Sequence, residues 1–582
     1  IAGADIEEFT TLDSPQKARA LVQRGWDLYN RLAAVRYPTL ALVRGHCMGG
    51  GTELALACRY RLAVDEPGTK FALPEVMLGI VPGWGGMLRL PQVVGAPAAL
   101  DMMLTGKTID ARRARRMGLA DECVPPRVME SAARQLVLSG RLPRELPLMQ
   151  KLLGMPPLRG YVAAQARKQV AKRARQEQYP APYAIIDMWQ HHGGNALAVP
   201  GDQPTSLEAI IGSATTRNLV RVFFLQERLK GFGKEADFRP ARVHVVGAGV
   251  MGGDIAAWCA LRGMTVTLQD QDVARIAPAI KRAADGYRRK FRSARDADKE
   301  VRFVLDRLIP DPAGDGVRQA DVIIEAIYEN LEAKQALFRD IEARAKPDAL
   351  LASNTSSLRL ADIAQALKNP GRLVGIHFFN PVAKMPLVEV VQGEASDAEA
   401  AKRAAAFVRR IDKLPLPVKD APGFLVNAVL APYLLEAMRC VEEGLSPETV
   451  DAAALAFGMP MGPIELADTV GLDVAMAAGK GLAAGAEPPR RLAELVAAGQ
   501  LGRKSGRGYY AYQDGKAVKG QAGNVPAGLA ELLVRPLLAA TRRCVEAGVV
   551  ADDDLADAGV IFGTGFAPYT GGPLNLARRE GA

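Results

Sequence analysis

Between Val243 and Gly253 the chain reads Val-His-Val-Val-Gly-Ala-Gly-Val-Met-Gly-Gly, an apolar run that passes straight into Gly-x-Gly-x-x-Gly and on into a helix-forming segment. A glycine turn alone is common, but this order of strand, glycine loop and helix is what a parallel βαβ unit needs to hold a dinucleotide. Gly247 permits the tight turn and Gly249 lets the backbone approach a pyrophosphate. Gly252 lets the helix pack on the strand with its N-terminus facing the phosphates. Met251, inside the same turn, is taken as a further cofactor contact. A second strand-like run, Thr265 to Leu268, leads to Asp270, about where a carboxylate binds the adenine ribose hydroxyls. An acid there favours NAD over NADP.

The fingerprint begins more than two hundred residues into the chain, so another domain is expected before it. A length of 582 residues has room for about three to four domains. Hydrophobic residues at 49% and charged residues at 24% exclude a disordered or fibrous chain. No apolar run nears the ~18 residues of a membrane span, and no secretory leader is present, which predicts a soluble intracellular protein. Six cysteines, Cys47, Cys58, Cys123, Cys259, Cys440 and Cys544, are scattered without metal-like spacing, so no metal is expected. The formal charge of +10, with clusters such as Arg112-Arg113, Arg115-Arg116 and Lys172-Arg173, suits an anionic small molecule such as coenzyme A. No recognition motif accompanies those clusters, which argues against nucleic acid.

The expected organisation is α/β multidomain. Residues 1–212 form a first domain, and 213–240 a linker built on the amphipathic stretch Ala214 to Lys230. A Rossmann NAD-binding domain spans 241–417, with strand-like runs at Val322 to Ile327, Leu350 to Ala352, Leu373 to Phe379 and Leu387 to Val391. Beyond it Leu430-Ala431-Pro432-Tyr433-Leu434-Leu435 with Arg439-Cys440-Val441-Glu442 recurs weakly as Val534-Arg535-Pro536-Leu537-Leu538 with Arg543-Cys544-Val545-Glu546. Each copy later reaches a Gly-Pro pair, Gly462-Pro463 and Gly572-Pro573, which predicts two duplicated all-α units, 418–515 and 516–582.

Ser353-Asn354-Thr355-Ser356-Ser357 and His377-Phe378-Phe379-Asn380-Pro381 follow strand-like runs, and so sit where ligands bind in open α/β sheets. Glu389 comes twelve residues after His377, far enough for the chain to turn and return a carboxylate to the imidazole. Such a pair can take a proton from an alcohol as hydride leaves for nicotinamide. Taken alone, a core histidine bonded to backbone is the commoner outcome. The run His377 to Val390, with Asp420-Ala421-Pro422-Gly423-Phe424-Leu425-Val426-Asn427, resembles the L-3-hydroxyacyl-CoA dehydrogenase family from about Arg242 to the C-terminus. The resemblance implies His377 as general base and Glu389 as its partner, with Ser356 and Asn427 positioning the hydroxyacyl thioester. It implies that Asn380 helps orient His377 and the nicotinamide. Glu325-Ala326-Ile327-Tyr328-Glu329 with Lys334 resembles the segment lining the cofactor, so Ile327, Glu329, Lys334 and Ser356 are expected NAD contacts.

In the N-terminal half, Ala2-Gly3-Ala4-Asp5-Ile6 forms a glycine turn, and Gly49-Gly50-Gly51-Thr52-Glu53 opens a helix. Glu75 follows in Leu73-Pro74-Glu75, before Gly83-Trp84-Gly85-Gly86. Enolate chemistry on a thioester needs two N–H donors at the carbonyl oxygen and carboxylates near the α and β carbons. Either glutamate alone reads most simply as a partner for a helix dipole. Together with Thr105-Gly106-Lys107 and Gly118-Leu119-Ala120-Asp121, these segments resemble the crotonase (enoyl-CoA hydratase) superfamily. That resemblance implies Ala4 and Gly50 as oxyanion-hole donors, with Glu53 and Glu75 adding water across a trans-2-enoyl-CoA. Glutamates so placed could also move a Δ3 double bond to Δ2. The chain starts inside the first oxyanion segment and stops soon after Gly572-Pro573, so the first and last domains are expected to be incomplete.

Crotonase first and dehydrogenase second resembles the multifunctional enzymes of fatty-acid β-oxidation, bacterial, mitochondrial and peroxisomal. The resemblance implies an acyl-CoA substrate, NAD, and a thiolase β-subunit as partner in a hetero-oligomer. The terminal Glu580-Gly581-Ala582 is not a peroxisomal Ser-Lys-Leu address, which favours a bacterial cytoplasmic protein. Two rivals remain open at this point: an inactive crotonase-like scaffold that docks the thiolase, and a non-catalytic NAD-binding protein.

Overall fold

Short strands ending in glycine turns build the N-terminal part, where each strand is too brief to pack alone and leans on helices. The structure, a computed structural model, describes residues 1–582 except 2, 4, 11–13, 292–296, 477–487 and 581–582. Two compact units emerge, Ile1–Phe223 with Tyr569–Gly571, and Phe224–Pro568 with Gly572–Ala582. The helix Ala214–Gly231, expected as a linker, is continuous across the division.

In the first unit Leu40–Val43, Tyr60–Val64 and Glu122–Val124 form a parallel sheet. A second sheet joins His46–Met48, Lys70–Ala72 and Ile109–Asp110, its first pair parallel and its second antiparallel. Phe71, Leu73, Met87, Leu90, Met103 and Ile185 fill the core. The strand His46–Met48 runs directly into the helix Gly50–Ala57, and a neighbouring strand end anchors that junction. The Gly49 amide donates to Ala72 O at 2.9 Å, and the Thr52 hydroxyl lies 2.6 Å from Cys47 O and 2.8 Å from Ala72 O. Because Lys70–Ala72 leads at once to Pro74 and Glu75, this anchor fixes where the two glutamate-bearing elements meet.

The second unit contains an eight-stranded sheet in the order Leu414–Lys419, Leu387–Gln392, Leu373–Phe378, Leu350–Ser353, Val322–Glu325, Arg242–Val246, Thr265–Gln269, Leu308–Pro310. All pairs are parallel except Leu373–Phe378 with Leu387–Gln392. Val322, Ile323, Ile324, Leu350, Leu351 and Ala352 are buried on both faces, as expected of parallel strands covered by helices. Strand order reverses at Arg242–Val246, whose neighbours are the next strand in sequence on one side and Val322–Glu325 on the other. That reversal opens the crevice where α/β sheets bind ligands. The last strand, Leu414–Lys419, runs across position 417, where the Rossmann domain was expected to end.

One local device occurs twice in the helical part. Asp451 accepts from the amides of Ile464 and Glu465 at 2.8 and 3.3 Å, and Asp557 from those of Leu574 and Asn575 at 2.7 and 3.2 Å. In each case a buried aspartate satisfies the first turn of a helix that opens with Gly-Pro, Pro463–Val470 and Pro573–Glu580. A Cβ on Gly462 or Gly572 would lie 2.1 or 2.4 Å from the respective carboxyl carbon, so glycine is required at both places. The expectation of all-α units needs one correction. A two-stranded hairpin, Ala511–Gln513 with Lys516–Val518, stands among the helices.

Candidate active sites

In the first unit Glu53 sits one turn into Gly50–Ala57 and is 2% exposed. Its Oε1 accepts from the amides of Trp84 and Gly86 at 2.9 and 2.8 Å. Glu75 starts the short turn Glu75–Leu78, with Oε1 3.1 Å from where a Cβ on Gly49 would stand. Its Oε2 is buried and, among the described residues, has no hydrogen-bond partner. Both carboxyls line one cavity of about 100 Å³ together with Gly3, Gly49, Gly50 and Trp84, while Leu21, Val22, Leu78, Ile80, Leu207 and Ile211 make the rest of its wall apolar.

Electrostatics separate the two acids. Burial pushes the Glu53 carboxyl up to about 7, opposed by the amides of Gly86 and Trp84 and by the Arg89 guanidinium. Burial, and then the neighbouring Glu53 charge, raise Glu75 well above the ordinary glutamate range. One acid is therefore poised to ionise near neutrality and the other is held protonated, the arrangement that acid–base chemistry on adjacent carbons needs. Gly50 opens its helix, so its amide has no intrahelical acceptor, and the residue lines the cavity. A Cβ on Gly3 would stand 3.9 Å from Gly50 N, which places the chain just before residue 4 against that amide. The other expected donor, Ala4, lies outside the described residues.

In the second unit the antiparallel register sets His377 opposite Glu389. His377 Nδ1 lies 2.7 Å from Glu389 Oε2, while Glu389 Oε1 accepts from the amides of Leu425 and Val426 at 3.0 Å each. Phe379 and Phe424 flank the ring at centroid distances of 4.6 and 5.6 Å. The imidazole is thus held by one nitrogen, which leaves Nε2 to work. Asn380 is exposed, and the side-chain amide that braces this strand end is that of Asn354, whose Oδ1 accepts from Phe378 N at 2.9 Å.

Around the crevice Glu329 Oε1 gathers the Thr355 hydroxyl at 2.7 Å and the amides of Ser356 and Ser357 at 2.8 and 3.2 Å. Burial alone would raise the Glu329 carboxyl, but Lys334 and these donors outweigh it and hold it below its ordinary value. Lys334 is itself 1% exposed and pairs with Glu325 at 2.6 Å and Glu329 at 3.0 Å, so its charge acts through Glu329 rather than by open reach. Asn427 Nδ2 donates to Ser356 O at 3.4 Å, which joins the two expected substrate-positioning residues. Ile327 donates its amide to Glu325 Oε1 at 2.8 Å, at the same strand end.

The glycine loop fits a dinucleotide on its own geometry. Gly247 has φ +103° and a Cβ there would lie 2.4 Å from Ala326 O. A Cβ on Gly252 would lie 1.9 Å from Gly247 O, whereas one on Gly249 would meet nothing within 4 Å. Close packing is thus confined to the turn and the helix, and the space beside Gly249 and the half-buried Met251 is left for a ligand. Asp270 Oδ2 accepts the Ala248 amide at 2.8 Å, which ties the acid to the loop.

Sequence reasoning assigned no role to Trp84, Gly86, Arg89, Leu425 or Val426. Four of these act through backbone amides, which leave no side-chain signature, and the glycine pair Gly85-Gly86 was the single available hint.

The sequence pattern of the 3-hydroxyacyl-CoA dehydrogenase NAD binding domain matches residues 242–421, that family's C-terminal domain matches 423–512, and enoyl-CoA hydratase/isomerase matches 1–151. Across all of its length the chain is 35% identical to the fatty acid oxidation complex subunit alpha of Shewanella amazonensis, covering 86% of that protein. It is 34% identical to the protein of the same name from Vibrio vulnificus, covering 85%. Among solved structures, 3-hydroxybutyryl-CoA dehydrogenase from Escherichia coli K12 matches 59% of the chain and 92% of its own length, with a TM-score of 0.52 and 28% identity.

Proposed function

Because this chain belongs to the family of fatty acid oxidation complex alpha subunits, we propose that Glu53 and Glu75 carry its enoyl-CoA hydratase step and His377 with Glu389 its 3-hydroxyacyl-CoA dehydrogenase step. The observation that carries the reading is the unequal setting of the two buried glutamates. Glu53 is held by two amides, and Glu75 has an orphaned oxygen beside that charge.

In hydration the thioester oxygen of a trans-2-enoyl-CoA is bound at the Gly50 amide, with Ala4 as the second donor that the family resemblance implies. Glu53 takes a proton from water as the oxygen adds to the β carbon, and the π electrons move to the thioester oxygen as an enolate. Glu75 then delivers its proton to the α carbon and the enolate collapses. The product is a 3-hydroxyacyl-CoA, the substrate of the second site.

There His377 Nε2 takes the hydroxyl proton, and Glu389 fixes the ring tautomer and stabilises the imidazolium. NAD, when bound, accepts the hydride from the carbinol carbon. Gly247, Gly249, Met251, Gly252, Asp270, Ile327 and Glu329 would hold it, with Lys334 behind Glu329. Asn354 braces the strand end that carries the ring, and Ser356 and Asn427 position the acyl chain's thioester.

The relatives are named as subunits of a complex, and a 3-ketoacyl-CoA is the substrate of thiolytic cleavage. We therefore propose a thiolase β-subunit as partner, in the bacterial cytoplasm. No described helix is long and apolar enough to cross a membrane. Hydration of crotonyl-CoA by the full chain, against Glu53→Gln and Glu75→Gln, tests the first site. Each variant is expected to lose about 10²-fold or more in kcat. Equal, negligible rates in wild type and both variants would favour the inactive scaffold, and variants as fast as an active wild type would overturn the roles of Glu53 and Glu75.

A further inference from the structure

Behind the turn that holds Glu53 lies a cation that the chemistry above does not use. Arg89 is 8% exposed and folds back along its own helix, Gly86–Val94, over the turn that precedes it. Its Nη1 donates to Trp84 O at 3.2 Å, and its Nη2 donates to Asn30 Oδ1 on the helix Pro15–Ala33. A Cβ on Gly85, at φ +108°, would lie 1.9 Å from Nη1, so the guanidinium rests directly against the Trp84–Gly86 turn. That turn supplies both amides that hold Glu53 Oε1.

Resting on the hydratase reading above, we propose that Arg89 is a positioning residue that pins the Trp84–Gly86 turn onto Glu53 and makes Glu53, rather than Glu75, the ionised member of the pair. The charged and titratable groups that act on Glu53 come from three packed elements. They are Tyr29 of Pro15–Ala33, Glu75 at the start of its turn, and Arg89 of Gly86–Val94. Tyr29 is neutral, since burial and then the Glu53 charge raise its hydroxyl to about 12, and it donates to Gly50 O at 3.1 Å. Glu75 disfavours a second negative charge. Arg89 is thus the one cation of the three, and its bond to Trp84 places it on the Glu53 side. Without it the amides of Gly86 and Trp84, the larger bias toward an ionised Glu53, would stand on an unpinned turn with no cation behind them.

Two roles are separable by mutation. Asn30→Ala loosens one anchor of the guanidinium and leaves its charge. Arg89→Met removes the charge, and Arg89→Lys keeps charge with a poorer fork. Two readouts are taken on the full chain: the pH profile of kcat for crotonyl-CoA hydration, and the pH titration of 13Cδ-glutamate resonances assigned by Glu53→Gln and Glu75→Gln. In Arg89→Met, kcat is expected to fall about tenfold or more, with the acidic limb and the lower glutamate titration both moving up by about one pH unit. Arg89→Lys should keep both near their wild-type position, and Asn30→Ala should lower kcat with the limb unmoved. Arg89→Met with a reduced rate but an unmoved limb and titration overturns the proposal, because a merely structural role would give that result. A wild type that fails to hydrate overturns the hydratase reading instead, and the glutamate titration still decides the role of Arg89.

Discussion

Glu389 offers a sharp test because its two oxygens do different jobs. Oε2 lies 2.7 Å from His377 Nδ1, and Oε1 accepts two buried amides, those of Leu425 and Val426, at 3.0 Å. Glutamine keeps the size but has one acceptor oxygen and one NH2 donor. Two N–H groups face the Oε1 position, so the oxygen of Glu389→Gln settles there and the NH2 turns to His377. Nδ1 must then accept, and the neutral ring carries its proton on Nε2, the atom that should receive the substrate's proton. Loss of a general base of this kind is worth about 10²- to 10⁴-fold in kcat. That corresponds to roughly 2.7–5.4 kcal/mol of transition-state stabilisation. Stability should change little, within about 1.5 kcal/mol, since each buried group keeps a partner. Glu389→Ala instead orphans both amides at about 1–3 kcal/mol each. The assay is NAD-linked oxidation of 3-hydroxybutyryl-CoA, the direction in which His377 acts as base, with denaturant unfolding alongside. Glu389→Gln within about threefold of wild type in kcat would refute the tautomer argument, since that is far below the loss expected of a missing base.

Three further outcomes follow from the same geometry. Gly247→Ala puts a methyl 2.4 Å from Ala326 O at φ +103°, so NADH affinity by calorimetry should fall about tenfold or more while crotonyl-CoA hydration persists; unchanged affinity contradicts the loop reading. Glu53 titrates at about 7 in the folded chain against an ordinary 4.5. Its contribution to stability is therefore complete below about pH 4.5 and is lost as pH rises through about 7. Melting of a Glu53→Gln/Glu75→Gln variant should accordingly gain on wild type from pH 5 to pH 8, and a constant difference would show that the pair is not buried as described. Asp451→Ala and Asp557→Ala should each destabilise the second unit by roughly 1–3 kcal/mol, by loss of the paired amide bonds at a helix start. A large effect from one alone would mean that the two helical copies are not equivalent.

Local patterns made the Rossmann part legible. A strand, a glycine loop and a helix follow one another within a few residues, and Gly247 and Gly252 are glycines because nothing larger fits. The pairing of His377 with Glu389 was also readable, because a short antiparallel return brings both onto neighbouring strands. What fixes Glu389, however, comes from amides 36 and 37 residues further on, at the start of the helix Val426–Glu442. Neither spacing nor residue type announces such a partner. The same holds for the amides of Trp84 and Gly86 on Glu53. The hairpin inside the helical region was missed because its strands are three residues long, too short for a period to show. Its signal was Asp514-Gly515, with φ of 49° and 72°, the dipeptide that suits a tight hairpin turn. Lys334, an NAD contact by the family resemblance, is enclosed by Glu325 and Glu329, since two carboxylates from a strand end and the loop after it offset its desolvation.

The most direct test of two consecutive sites on one chain is product analysis after supplying crotonyl-CoA and NAD to the full-length protein. Wild type should form acetoacetyl-CoA and NADH in equal amounts, and His377→Gln should stop with 3-hydroxybutyryl-CoA accumulated. Glu53→Gln/Glu75→Gln should leave crotonyl-CoA untouched yet still oxidise added 3-hydroxybutyryl-CoA. NADH formed from crotonyl-CoA at the wild-type rate by either variant would contradict the account.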